Sequence, residues 1–347
     1  MKTNDYAQKL ADAAASQVDD PRPLHNNAMV RIHQVGNHKE VNPHEKRRIS
    51  CWESNNPVEN LAMSLAFSSY PVIGALLAAE DALHLLPDWG GNQQQKEFMQ
   101  AHYGPGHGDI SKIPELKSRA DKTVDPINQW LRENGFNIQL DSFSTSGGIA
   151  VASILKLLVQ WLIPGDVVTI RDQYPGVRIP TKNSRATFFT ASGHNDPIAC
   201  LATQDTTNVY LTMSPPPATV LEMMDKIQQI RTRRQYNEDY GAIRFPMVDL
   251  RQQPDMSWLS GMTTFDNAGV PAFIAQALME VLFKMNEKGA RAEVAFTASV
   301  LRSMSMPAPD HIIDQPFLVW FERPDLALPL FGAYITEEDW KNPGSLA

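Results

Sequence analysis

Residues 278–317 constrain this chain more than any other stretch, because a strict two-residue alternation stops abruptly and the next hydrophobic strand begins only after a long interval. Met279, Val281, Phe283 and Met285 are set to face one way and Leu278, Glu280, Leu282 and Lys284 the other, which is a strand period. A turn-like NEKG follows. After Gly289 the run ARAEVAFTASV has small, β-compatible side chains but little to anchor it in a core, and a Ser-, Met- and Pro-rich loop comes next. PFLVWF then returns the chain to a buried sheet. The middle is predicted to be a long exposed excursion between two anchored strands.

The segments on either side of that excursion carry a resemblance. Met285-Asn286-Glu287-Lys288-Gly289 resembles the V-N-E-E-G hinge of serpins, and Ile313-Asp314-Gln315-Pro316-Phe317 resembles the segment that follows their reactive loop. Further matches run in chain order. NPVENLAMSLAFSSY is similar to the N-P turn, short strand and Ser-rich helix start beneath the main serpin sheet, with Ser64-Leu65-Ala66-Phe67 in place of the usual S-P-x-S. TVDPINQWLRENG resembles the helix written I-N-x-W-V that crosses the front of that sheet. GAIRFPMVDL and WLSGM resemble the P-x-F strand and L-G-M segment, and Leu330-Phe331-Gly332 the closing L-F-x-G, although Ala333 stands where Arg is usual.

The resemblance implies an α+β fold: a large central mixed β-sheet with smaller sheets, about eight or nine helices concentrated toward the amino-terminal half, and an exposed reactive-centre loop. It implies one domain over 1–347, with the polar, proline- and histidine-bearing residues 19–55 as an insertion or surface extension. The activity implied is inhibition of a serine or cysteine protease, with the loop cut as a single-use substrate and then inserted into the sheet. The alternative left open is a non-inhibitory binding or structural protein.

The implied site residues are specific. Glu287, Lys288 and Gly289 would form the hinge. Ala290, Ala292, Val294 and Phe296 would enter on the core side, with Arg291, Glu293 and Ala295 facing solvent. Ala290 stands where inhibitory members usually carry Thr, Arg291 where they favour Glu, and the Phe296 ring would need a pocket shaped for a small residue. The candidate cut lies at Arg302-Ser303, suited to a trypsin-like pocket, or next at Met304-Ser305. Asn60, Ser64, Ser68, Ser69, Pro316 and Phe317 are candidates for the region where the sheet parts; read from the residues alone, the serines are helix caps or satisfied buried hydroxyls.

Elsewhere the sequence argues against other chemistries. It has no G-x-S-x-G, H-E-x-x-H, glycine-rich nucleotide loop or paired C-x-x-C, so no enzyme, cofactor or metal is expected. His25, His33, His38 and His44 match no compact ligand spacing, and His84, His194 and His311 are read as capped or hydrogen-bonded. The net charge of −8 over 347 residues disfavours nucleic acid as a partner, and a monomer is favoured. Two cysteines, Cys51 and Cys200, fit a reducing compartment, and the amino-terminal residues lack a secretory core, so a cytoplasmic or intracellular location is expected, with secretion of a processed form as the alternative. No apolar run is long enough to span a bilayer. Arg231, Arg233 and Arg234 are read as a solvated helix end, and the polar tail EEDWKNPGSLA as adding little to the core.

Overall fold

The computed structural model describes residues 63–142, 149–237, 239–289 and 308–346, all within the unit Asn60–Ala347. In chain order, β1 (Leu65–Phe67) leads into α1 (Ser69–Leu83). Next comes α2 (Gln93–Phe98), closed at its start by reciprocal hydrogen bonds between Asn92 and Gln95. It runs on through a π turn, Met99–Tyr103, to a 3-10 turn, His107–Lys112. After β2 (Leu116–Asp121), α3 (Val124–Glu133) buries Val124, Ile127 and Leu131 at helical spacing. The strands β3 (Ala150–Leu155), β4 (Asp166–Ile170), β5 (Tyr174–Pro180), β6 (Ala186–Ala191), β7 (His194–Leu201) and β8 (Asn208–Met213) then precede α4 (Val220–Arg233). Thr219 caps α4 by accepting from Glu222 N at 3.1 Å. Strands follow as β9 (Arg234–Asn237), β10 (Ala242–Pro246), β11 (Val248–Gln252), β12 (Thr263–Phe265), β13 (Pro271–Phe273), β14 (Val281–Met285), β15 (Asp310–Ile312), β16 (Phe317–Glu322) and β17 (Phe331–Ile335).

Two parts of the expected fold class are corrected. Among the described residues only four α-helices reach six residues, against the eight or nine expected. One reason is local: between Pro254 and Gly261, the glycine of WLSGM, room remains for a single 3-10 turn, Ser257–Leu259. The largest sheet is also antiparallel throughout, in the order β1-β17-β16-β8-β7-β6-β9. The mixed sheet has four strands, β15-β10-β5-β4, with β10–β15 its parallel pair.

β16 and β17 are buried residue for residue at the centre of the large sheet, which is why PFLVWF shows no alternation. The remaining strands form the separate pairs β2–β3, β11–β14 and β12–β13. The β2–β3 pair is covered on both faces. Ala150, Ala152 and Ile154 meet a small core under α3 made by Val124, Ile127, Leu131 and Phe136. On the other face α1 comes so close that a Cβ on Gly74 would lie 2.7 Å from Ser118 Oγ and 2.8 Å from Ser153 Oγ.

Candidate functional site

β3 and β14 end at one place. Five residues beyond β3, Gln160 makes a bridge to Gly289, four residues beyond β14. The NEKG segment is a closed turn in which Asn286 and Gly289 exchange backbone hydrogen bonds at 3.2 and 3.3 Å, while Asn286 Oδ1 accepts from Lys288 N at 2.9 Å. Trp161, 2% exposed, donates its indole N–H to Asn286 O at 2.9 Å, and Gly165 N donates to Glu287 O at 2.8 Å. Gly289 has φ +101°, and a Cβ there would stand 2.5 Å from Trp161 N, 2.8 Å from Gln160 Cα and 2.9 Å from Val159 O. Only glycine meets both demands, a backbone angle closed to L side chains and contact with a neighbouring main chain.

Both strands lead into this junction from their carboxyl ends, and among the described residues β3 has a ladder only with β2, and β14 only with β11. Across the front, the segment after α3 is tied to the approach to β14: Glu280 accepts from Asn137 N and Ile138 N and pairs with Arg251 at 2.7 Å, and Asp141 and Gln276 exchange hydrogen bonds. Glu280, set by the alternation on the side opposite Phe283 and Met285, is nevertheless buried with these donors, at 7% exposure. The alternation holds from Leu282 to Met285, with Phe283 and Met285 buried and Leu282 exposed.

The far end of the loop is fixed separately. Gly241 N donates to Pro309 O at 3.0 Å, and β15 adds to the edge of the four-stranded sheet. Asp310 takes two hydrogen bonds from Arg178, at 2.8 and 3.0 Å, and one from Arg244 at 2.8 Å. The Arg178 bonds, with Arg244 adding to them against the effect of burial, hold its carboxyl below the usual range. Next to it His311 is 7% exposed, its Nε2 has no hydrogen-bond partner, and burial lowers its pKa.

Of the residues singled out from sequence, Glu287, Lys288 and Gly289 stand together at the junction. Ala290, Arg291, Ala292, Glu293, Val294, Ala295, Phe296, Arg302, Ser303, Met304, Ser305 and Asn60 lie outside the described residues. Ser64, Ser68 and Ser69 are buried hydroxyls with distant partners rather than caps. Ser64 Oγ accepts from Thr336 N at 2.9 Å, Ser68 Oγ donates to Leu330 O at 2.6 Å, and Ser69 Oγ meets His102 Nδ1 at 3.0 Å. Burial drives the pKa of His102 down to about 4. Pro316 O accepts from Ser214 N, and Phe317 is fully buried in β16.

Sequence reading missed three features. Trp161 was hidden in an apolar run, where an indole N–H that needs a partner was the available signal. Arg231 and Arg234 are not a solvated helix end: both pair with Glu322, at 3.5 and 2.7 Å, and Arg234 lies 4.2 Å over the Tyr210 ring. They line an open cleft of about 420 Å³ between α4 and the large sheet. The polar tail is anchored by Trp340, 2% exposed, which corrects the expectation that it adds little to the core.

No group of three or more His, Cys, Asp or Glu among the described residues is placed to hold a metal, and no helix there is long and apolar enough to cross a membrane. In fold the chain is similar to serpins. Serpin48 of the insect Tenebrio molitor, described as a highly specific serpin, is 12% identical, with a TM-score of 0.49 over 79% of this chain and 91% of that one. A serpin from Schistosoma mansoni is 11% identical, with a TM-score of 0.48 over 78% and 95%, and human thyroxine-binding globulin is 11% identical, with 0.47 over 80% and 92%. No protein-family model and no curated protein sequence matches the chain.

Proposed function

We propose that this chain is a divergent serpin that inhibits a serine or cysteine protease as a single-use substrate, with residues 290–309 as the bait. The observation that carries this reading is the junction at Gln160 and Gly289, where two strand pairs, each without a further ladder among the described residues, meet the start of the loop. The target's nucleophile attacks the carbonyl of the cut bond, the new amine leaves, and the carbonyl side stays on the protease as an acyl-enzyme. The loop, freed at that cut, swings from Gly289 between β3 and β14, pairing its exposed backbone groups and burying alternate side chains. Inhibition requires this step to outrun deacylation. The chain contributes conformational energy and no catalytic group of its own, and the sparse cysteines support an intracellular place of action.

The test is incubation with trypsin-like, elastase-like and subtilisin-like proteases. The expected result is a covalent complex that survives denaturing electrophoresis, with cleavage at Arg302-Ser303 or Met304-Ser305 and a large rise in thermal stability of the cut chain. Complete turnover by every protease, with unchanged stability, would overturn the reading. Ala290, Arg291 and Phe296 favour a second reading, a non-inhibitory binding protein on the same fold. In that case the cut loop leaves stability unchanged.

A further inference from the structure

The segment after β17 does not stop at the sheet. Glu337 pairs with Arg171 at 2.6 Å and accepts from Tyr174 Oη at 3.3 Å. Trp340 is seated edge-on to Tyr174, 5.1 Å between ring centres, and beside Phe317 at 6.3 Å, with the Arg171 guanidinium 5.6 Å from its ring centre. Beyond this anchor Asn342 Oδ1 accepts from Gly344 N at 2.8 Å, which turns the chain at Gly344. The next two carbonyls then reach the hinge strand: Gly344 O accepts from Asn286 Nδ2 at 3.1 Å and Ser345 O from Lys284 Nζ at 3.4 Å. Lys284 and Asn286 lie on one side of the strand, opposite the buried Phe283 and Met285. Asn286 is thus held by the tail through its side-chain N–H, by Trp161 through its carbonyl, and by Gly289 through its backbone.

We propose that residues 336–345 form a strap, anchored by Trp340, that holds the hinge turn Asn286–Gly289 closed from outside and so regulates how readily the loop can swing. The consequence for inhibition rests on the insertion reading above; the strap itself does not. Opening the turn with the strap in place requires breaking the two tail hydrogen bonds as well as the turn's own. At ordinary net strength, two such bonds correspond to about a 5- to 150-fold change in the open population.

Hydrogen exchange on the uncut full chain tests this, compared with a variant ending at Asn342, which removes both acceptors and keeps Trp340, and with Trp340→Ala. Exchange at the amides of Lys288 and Gly289 is expected to rise about 5- to 150-fold in both variants, with β16 and β17 protected as before in the shortened chain. Unchanged hinge exchange in the shortened chain, or an equal rise throughout the molecule, would overturn the strap. Should Trp340→Ala fail to fold, the shortened chain decides alone. A second arm measures thermal stabilisation after the loop is cut, where the variants should stabilise faster than the parent. A loosened hinge without any stabilisation leaves the strap standing and removes the insertion reading.

Discussion

Replacing Gly289 by Ala probes the junction with one methyl group. At φ +101° an L residue meets a backbone penalty of about 1 to 2 kcal/mol. The added Cβ would also stand 2.5 Å from Trp161 N and 2.8 Å from Gln160 Cα, main-chain atoms that no rotamer change moves away. Overpacking of this kind adds about 1 to 3 kcal/mol, and the reduced freedom of the unfolded chain returns about 0.4 to 1 kcal/mol. The net loss is expected to be about 1 to 4.6 kcal/mol, which with a urea slope near 3 kcal/mol/M lowers the unfolding midpoint by about 0.3 to 1.5 M. Gly135→Ala is the control, since Gly135 has φ +86° and nothing within 4 Å of its absent Cβ. It carries the backbone penalty without the clash. Urea unfolding followed by tryptophan fluorescence reads both. If Gly289→Ala is no more destabilising than Gly135→Ala, the close approach at the junction is not present in solution and the hinge assignment loses its physical basis.

Two further outcomes bear on the anchors around the loop. Asp310→Asn leaves Arg178 and Arg244 without a carboxylate and is expected to release β15 from the sheet edge, seen as faster limited proteolysis near Pro309; an unchanged cleavage rate refutes the clamp. Because the folded pKa of Asp310 is depressed, its contribution is present above the unfolded value near 3.9 and fades as pH falls below it, so wild type should approach the variant in strong acid. His102 titrates in the opposite chemical sense but with the same direction of effect. Its folded pKa of about 4 against an ordinary 6.5 means that stability is full above pH 6.5 and is lost toward pH 4, by about 3 kcal/mol. Urea midpoints at pH 7 and 4.5 should differ less in His102→Gln, and an equal difference in both proteins would exclude His102 as a source.

Much of the local structure was legible. The alternation of Leu282 to Met285 and the buried strand that PFLVWF returns to, β16, follow from side-chain period and hydrophobicity within a few residues. The helix count was not, because it came from a resemblance to other chains, and local breakers such as Pro254 and Gly261 decide how long each helix here can be. Nor were the partners of Arg231, Arg234, Glu280 and Trp340. A charged or aromatic residue in a polar stretch looks solvated until the residue that pairs with it, dozens of positions away, is known.

By itself, then, the sequence determined that a strand ends at Met285, that a turn with glycine follows, and that the next firm strand waits until Phe317. Only the tertiary structure decided why that glycine is needed. Period and propensity act between neighbours in the chain, whereas the clash that excludes a side chain at position 289 comes from the backbone of Val159 to Trp161, and the tail that holds Asn286 arrives from beyond the last strand.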